Sequence, residues 1–407
     1  MKSTTIAILG TLDTKGEEVA YLRSRIESFG HRSIVIDSGI FESRSCAADI
    51  SGGEVAEAGG HRVEELRTAR DRGHSVSAMA KGSAAIVRKL FEESKIDGLI
   101  SLGGSAGTTI GSTAMQLLPA GFPKVMVSTL ASGDTRPYVG TKDIAMLYSV
   151  VDIAGLNRLS RRILSNAAAA IAGMVGQGSL ETEKDKRLIA ATMFGVTTPC
   201  VTMARKILEQ QGFEVLAFHA TGAGGRALEE LVADGYITGV LDVTTTELAD
   251  ELVGGVMSAG PRRLEAAGAK GLPQVVCPGA LDMVNFGPLD SVPEKYAQRQ
   301  LYVHNANVTL MRTTPQECTE LGYIVADKLN RATGPVTCLL PMRGFSAIDA
   351  PGQPFYCPVA DISFSQALKE GLSSEIRLIE IDANINDEEF ARAAADALLE
   401  SVKVRSK

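Results

Sequence analysis

The sequence predicts an α/β protein made of two Rossmann-like, doubly wound domains with mainly parallel sheets. Short apolar runs alternate with amphipathic helical stretches, and glycine-rich or Asp/Thr-rich turns punctuate them. The chain has 407 residues, more than one hydrophobic core usually fills. One strand–turn–helix–turn–strand plan occurs near residue 6 and again near residue 188.

The first copy starts with Ile6-Ala7-Ile8-Leu9, too short for a helix and stopped by Gly10. A helix follows over 17–26, with Val19, Leu22 and Ile26 on one face; Thr14 and Glu17 have capping-box spacing. Gly30 is a helix C-cap, and 33–37 is the second strand. In the second copy Ile189-Ala190-Ala191 is the strand, and Thr198-Pro199 supplies an N-cap followed by proline. A helix then runs to Gln211, Gly212 caps it, and 213–219 is the next strand. Residues 11–30 and 193–212 span the same length, and GFPKVMVS from Gly121 is echoed by GLPQVVCP from Gly271. Duplication explains these echoes; chance likeness between two βα units is the alternative.

Further strands are expected at 96–102 and 125–129, and helices at 109–118 and 153–174. The polar stretch 176–186 is the expected linker, giving domains 1–178 and 187–407. Residues 42–82 have no counterpart in the second half and read as an insertion, a candidate lid with a short helix near 63–72.

Composition narrows the functions. Apolar residues make up 45% and the formal net charge is −7, without a Lys/Arg block, so nucleic acid is not an expected partner. Six scattered cysteines form no CxxC or zinc spacing and read as reduced thiols. With no signal-peptide pattern at the start and no long apolar window, the expected location is the cytoplasm, with no membrane partner.

Ligands of open α/β sheets bind beyond the carboxyl ends of the strands, where strand order reverses. In the first half the loops there are GTLDTKG (10–16), LGGSAGT (102–108) and STLASGD (128–134), the last containing Ser128 and Gly133. LGGSAGT follows a strand and opens a helix. Gly103, Gly104 and Gly107 let backbone approach an anion, Ser105 and Thr108 add hydroxyls, and the helix dipole favours phosphate. A bare packing turn is the competing reading. GTLDTKG is neither a P-loop nor GxGxxG. Thr11, Thr14 and Lys15 there are candidate phosphate contacts and Asp13 a candidate holder of a metal or water; alternatively Asp13 and Thr14 cap the helix and Lys15 is solvated. Asp37, ending the second strand, is placed for ribose hydroxyls or for capping a turn. Arg44 and His61 in the insertion are candidates to close over phosphates.

In the second half, HATGAGG (219–225) is a candidate second anion loop, and Thr244 with Glu247 reads as a capping box. Asp282, His304 and Arg312, with Asn285 nearby, lie in strand-end segments and are candidate acid–base groups for a carboxylate or phosphate substrate. There is no GxSxG, HExxH, EF-hand or kinase signature.

The strings GTLDTKGEE, SLGGSAGT, VMVSTLASGD, YVGTKDIAM, FHATGAGG, VLDVTTTE, PGALDMVNFG and HNANVTLMRTT, in this order, resemble a known family over nearly the whole chain. It is the family, long labelled uncharacterised, that includes the ATP-binding N-terminal region of the tomato mosaic virus resistance protein. The resemblance implies two Rossmann-like domains, ATP with magnesium (Mg2+) in the first, and a homodimer. It also implies phosphate contacts from Gly103, Gly104, Ser105, Gly107 and Thr108, with Thr11, Asp13, Thr14 and Lys15 opposite. The plant relative continues into a barrel that is not expected in these 407 residues, and its antiviral role is not carried over. The sequence leaves three functions open. One is an ATP-dependent enzyme acting on a small acid or carbonyl substrate at an interdomain cleft, and another is a regulatory nucleotide-binding module without turnover. An NAD-type dehydrogenase is the third, weakened by the absence of GxGxxG.

Overall fold

The computed structural model describes residues 4–42, 45–177 and 186–405. Arg44 and residues 178–185 of the expected linker lie outside the described residues. The chain divides into two compact units, Met1–Thr182 and Glu183–Lys407.

In the first unit, β1 (Thr5–Gly10), α1 (Leu12–Ser28) and β2 (Arg32–Asp37) are followed by α2 (Gly52–Ala58), α3 (Val63–Ala69) and α4 (Arg72–Glu92). Then come β3 (Gly98–Gly103), α5 (Ser105–Gln116), β4 (Lys124–Ser128), α6 (Arg136–Val139), β5 (Ala145–Tyr148) and α7 (Arg158–Gly176). The five strands form one parallel sheet in the order β2-β1-β3-β4-β5. Alternation along β1 explains why its run is wholly apolar. Ile6 and Ile8 enter the core under α1 and α7, while Ala7 and Leu9 enter the core on the opposite face under α2, α4 and α5.

The insertion is real helical structure. Gly82 of α4 lies so near α2 that a Cβ would meet the Val55 carbonyl oxygen at 1.8 Å. The helix expected near 63–72 ends at Ala69, and Arg70 takes a left-handed conformation before α4 begins.

The second unit contains β6 (Leu188–Met193), α8 (Thr198–Gln210), β7 (Glu214–His219), α9 (Ala223–Ala233), β8 (Ile237–Thr244), α10 (Thr246–Val253), α11 (Ala266–Ala269) and β9 (Gln274–Gly279). These are followed by β10 (Met283–Phe286), β11 (Leu301–Asn305), β12 (Val308–Arg312), α12 (Pro315–Asn330), β13 (Val336–Pro341), α13 (Pro358–Gly371), β14 (Arg377–Ile381) and α14 (Glu388–Arg405). Its main sheet is parallel, in the order β14-β13-β9-β8-β6-β7. A separate antiparallel sheet, β10-β12-β11, was not expected from the sequence.

Read from their first strands, both main sheets reverse order between the first and third strand, β1/β3 and β6/β8. The echoed strings fall on β4 and β9, the fourth strand of each unit, and Gly121 and Gly271 before them both take positive φ, 80° and 61°. Gly30 and Gly212 match likewise at 88° and 86°. The repeated plan thus extends to backbone conformation.

Local capping differs from expectation at three helices. Helix α1 starts at Leu12, so Thr14 lies inside it and forms no capping box with Glu17; Thr11 is the N-cap and the Asp37 carboxylate meets the Leu12 amide instead. Helix α8 takes Thr197 as N-cap, with Pro199 in its first turn. Helix α7 begins only at Arg158, where Asn157 and Ser160 form a capping box.

Candidate functional site

The reversal between β1 and β3 opens a cavity of about 570 Å3. Thr11, Asp13 and Thr14 line it from the first turn of α1, and Ala106 and Ile110 from α5. Leu66, Val76 and Met79 give it an apolar side, and Arg67, Arg70 and Arg72 a basic one. A groove of about 750 Å3 runs along α4 and α5, but exposed side chains such as Lys81, Arg88 and Lys89 line it, and no reversal point feeds it.

The loop before α5 combines packing with an opening for a ligand. A Cβ on Gly103 would come within 2.7 Å of the Gly107 Cα, and one on Gly107 within 3.0 Å of the Leu102 carbonyl oxygen. Those two glycines therefore let helix and strand touch. Gly104 is the N-cap and has no side chain to cap with. Among the described residues, no acceptor meets the amides of Ser105, Ala106 and Gly107; the first amide of this turn with a partner is Thr108, which donates to the Gly104 carbonyl. Thr108 and Ser128 are buried and bonded to each other at 2.7 Å, and Ser128 Oγ accepts from the Leu130 amide. They shape the loop and do not face a ligand. Gly133 closes a turn onto the Leu130 carbonyl, away from the cavity wall.

The opposite turn is partly committed. Asp13 Oδ2 accepts from the Ile40 and Phe41 amides, both at 3.2 Å, while Thr11 and Thr14 pair their hydroxyls at 2.9 Å. Lys15 donates to the Ile153 carbonyl and does not line the cavity, so it is not placed to meet phosphates there. Asp37 Oδ1 accepts from the Leu12 and Gly39 amides at 3.0 and 2.7 Å, and burial raises its carboxyl pKa. It braces two loops and is not offered to a ribose. His61 packs edge-on against His74, ring centroids 4.9 Å apart, outside the cavity wall.

The basic wall comes from arginines the sequence reading passed over. Three arginines within 67–72 were the available signal. Arg67 donates to the Ile40 carbonyl. Arg70 and Arg72 are exposed, and among the described residues neither has an ion-pair partner.

In the second unit the glycine-rich loop after β7 is plugged. Glu247 Oε1 accepts from the Gly222 and Gly225 amides at 2.7 and 3.0 Å, so the HATGAGG loop already holds the protein's own carboxylate. Glu247 is not in a capping box with Thr244 either, because its Oε2 accepts from Arg263 Nε at 2.7 Å. The three candidate acid–base groups are not brought together. Asp282 and Arg312 are buried in one cluster, whereas His304 is exposed on β11, next to residues paired with Thr309 and Val308. Three residues of strand, about 10 Å, separate that position from Arg312. All of Arg312's bonded nitrogens face protein acceptors, including the Phe355 carbonyl at 2.7 Å and Asp361 at 2.6 Å. It is a tether and has no donor left for a substrate.

Carboxyls buried in this unit set an acid-to-neutral trend in stability. Burial pushes Asp250 up to about 7, partly opposed by donors from Asn285 and Met257. Burial also raises Asp282 and Asp361, with Asp349 adding to the effect and Arg312 opposing it. A carboxyl with a raised folded pKa holds a proton that the unfolded chain has released, so unfolding gains as pH rises. Thermal midpoints are expected to fall between roughly pH 4 and 7, the window from the unfolded carboxylate value to that of Asp250. A midpoint that rises steadily across this window would contradict the protonated state of these groups.

Two parallel sheets of five and six strands, wound on both faces by helices, define a two-unit α/β protein of the doubly wound class. The chain belongs to the uncharacterised protein family UPF0261, whose N-terminal domain matches residues 4–179 and whose C-terminal domain matches residues 186–402. A UPF0261 protein of Clostridium tetani is 56% identical over 395 residues, covering 97% of this chain and 98% of that protein. One from Rhizobium meliloti is 46% identical, covering 96% of this chain and 98% of its own length. The ToMV resistance protein Tm-1(GCR237) of Solanum lycopersicum is 42% identical over 98% of this chain, which spans 56% of that protein. UDP-N-acetylglucosamine 2-epimerase from Rickettsia bellii aligns over 99% of this chain and 98% of its own, but at 10% identity and a TM-score of 0.24, too loose a superposition to carry an argument. Among the described residues, no helix is long and apolar enough to cross a membrane.

Proposed function

We propose that the first unit binds ATP, or a close nucleoside triphosphate, at the β1/β3 reversal. The observation that carries this reading is the unpartnered first turn of α5, Ser105 to Gly107, of which Ala106 lines a cavity with a basic wall. Free amides at a helix start favour an anion through hydrogen bonds and the helix dipole together. Arg70 and Arg72 add charge for the outer phosphates, and Leu66, Val76, Met79 and Ile110 offer apolar surface suited to a base.

Magnesium fits this site as a companion of the phosphates. Among the described residues no cluster of three or more His, Cys, Asp or Glu side chains could hold a metal alone. Magnesium commonly keeps waters and takes only one or two carboxylates beside phosphate oxygens. Asp13 faces the cavity with, among the described residues, no hydrogen bond on Oδ1 and is the residue to supply one.

Binding without rapid turnover is the form of the proposal the cavity favours. Its wall offers Asp13 and Asp71 as carboxylates, and both are engaged by backbone amides. Assembly as a homodimer belongs to the same proposal and is read by light scattering.

The test is a thermal-shift series of ATP, ADP, GTP and NAD with and without magnesium. ATP at one hundred times its dissociation constant adds about 2.7 kcal/mol of stability. A shift from NAD alone, or from no nucleotide, removes the proposal.

A further inference from the structure

The buried cluster around Arg312 has a feature that its separate strand-end segments do not disclose. Arg312 Nη2 lies 2.6 Å from Asp361 Oδ1 and 3.6 Å from Asp349 Oδ1. Asp282 Oδ2 accepts from the Ser346 hydroxyl at 2.8 Å, and Asp349 Oδ2 from the Phe345 amide at 2.9 Å. Two carboxyl groups thus meet one guanidinium, and the buried Asp282 carboxyl, whose backbone carbonyl accepts from Arg312 Nη1, adds a third negative group beside it. Asp282 and Asp349 are 0% exposed.

Three ionised carboxylates here would leave two uncompensated charges in the interior, which costs far more than taking up a proton. The hydrogen-bond pattern agrees. Asp282 Oδ1 and Asp349 Oδ1 are buried without a donor. Asp349 gains one if the neighbouring Asp361 carboxyl, which meets the same Arg312 nitrogen, carries a proton and donates it. The proton belongs to the group and not to one residue.

Asp361 is the member of this group that reaches open space. It sits in the first turns of α13 and lines a cavity of about 360 Å3 beyond the carboxyl end of β13. Tyr356, Ile362, Ser365 and Met342 form other parts of the wall. Arg343 lines it too but is held by Asp382 through two bonds, 2.7 and 2.6 Å. With Arg312 committed to protein acceptors and Arg343 paired, the cavity has no spare cation for a carboxylate or phosphate.

We propose that this cavity is a ligand site for a small uncharged compound carrying hydroxyl and carbonyl groups, with the Asp361 carboxyl as its hydrogen-bonding and proton-exchanging contact. The site lies within the second unit and is independent of nucleotide binding in the first. It also changes the chemistry expected from the sequence. The paired arginines and the acidic group behind Asp361 disfavour a small acid, and the group's shared proton reaches the cavity through Asp361, not His304.

The experiment uses the intact protein at pH 7 with two probes of similar size, neutral dihydroxyacetone and anionic pyruvate, read by saturation-transfer NMR. Transfer to dihydroxyacetone and not to pyruvate is expected. Ile362→Trp fills the mouth of the cavity from a side chain that is 49% exposed, so it leaves the core intact and should abolish the signal. Asp361→Asn keeps the shape, loses the ionisable carboxyl and the proton it shares with the group, and should weaken binding at least tenfold. Binding of neither probe, binding of pyruvate as strong as that of dihydroxyacetone, or an unchanged signal in Ile362→Trp overturns the site. An unchanged affinity in folded Asp361→Asn overturns the role of Asp361. The ATP thermal shift should be the same in Ile362→Trp and wild type, which separates this outcome from failure of the nucleotide proposal.

Discussion

Replacing Arg263 with methionine is expected to destabilise the second unit by about 3–5 kcal/mol, the cost of breaking a buried ion cluster from one side. Arg263 is 1% exposed and grips Asp242 with two nitrogens at 2.6 and 2.7 Å. Its Nε donates to Glu247, and Nη1 lies 3.4 Å from Glu229. Methionine fills much of the volume but leaves Asp242 and Glu247 buried without their cation. Asp242 would retain the Thr192 hydroxyl and Glu247 the two glycine amides, which soften the loss without cancelling it. Lysine at this position keeps the charge but not the planar fork, so it should fall between methionine and wild type. The readout is the urea midpoint of the intact protein. A loss below about 1 kcal/mol would mean that the carboxyls take up protons instead, and the cluster is not what holds the loop.

Much of the architecture is legible in residue pattern because it depends on local periodicity. Ile6-Ala7-Ile8-Leu9 is apolar throughout since both faces of β1 are covered, and that needs no knowledge of distant residues. The echo from Gly121 and Gly271 marks the same strand in each unit for a similar reason: each turn needs a residue tolerant of positive φ. Placement of the candidate site residues departs from expectation where it depends on long-range pairing. The HATGAGG loop and the LGGSAGT loop are equivalent as text, yet one is stoppered by Glu247 from 22 residues away and the other is open. Asp37 and Lys15 look like ligand contacts until their partners, the Leu12 amide and the Ile153 carbonyl, are known. Asp361 reads as an ordinary acidic residue in a helix's first turns, and nothing near it in sequence discloses Asp282 or Arg312. The sheet β10-β12-β11 escaped because MVNF at 283–286 sits within a segment that reads as a loop.

Proline at Ser105 is expected to weaken ATP binding roughly ten- to 150-fold while leaving the fold intact. Ser105 is the first residue of α5 and is exposed, and proline is tolerated at the first helical position because the amide it removes has no partner inside the helix. Gly104 before it is extended, at φ −78° and ψ −154°, a conformation compatible with a following proline. Folding therefore loses nothing, and the restricted unfolded chain can raise stability slightly. A bound phosphate, in contrast, loses one charge-assisted hydrogen bond, about 1.5–3 kcal/mol, which sets the fold-change. Ser105→Ala is the matched control, since it removes the hydroxyl but keeps the amide. If the backbone is the contact, alanine binds close to wild type and proline does not. Equal affinity in all three proteins would mean that the turn is only a packing device for Gly103 and Gly107 and that any nucleotide sits elsewhere. Equal loss in both variants would transfer the contact from the backbone to the Ser105 hydroxyl.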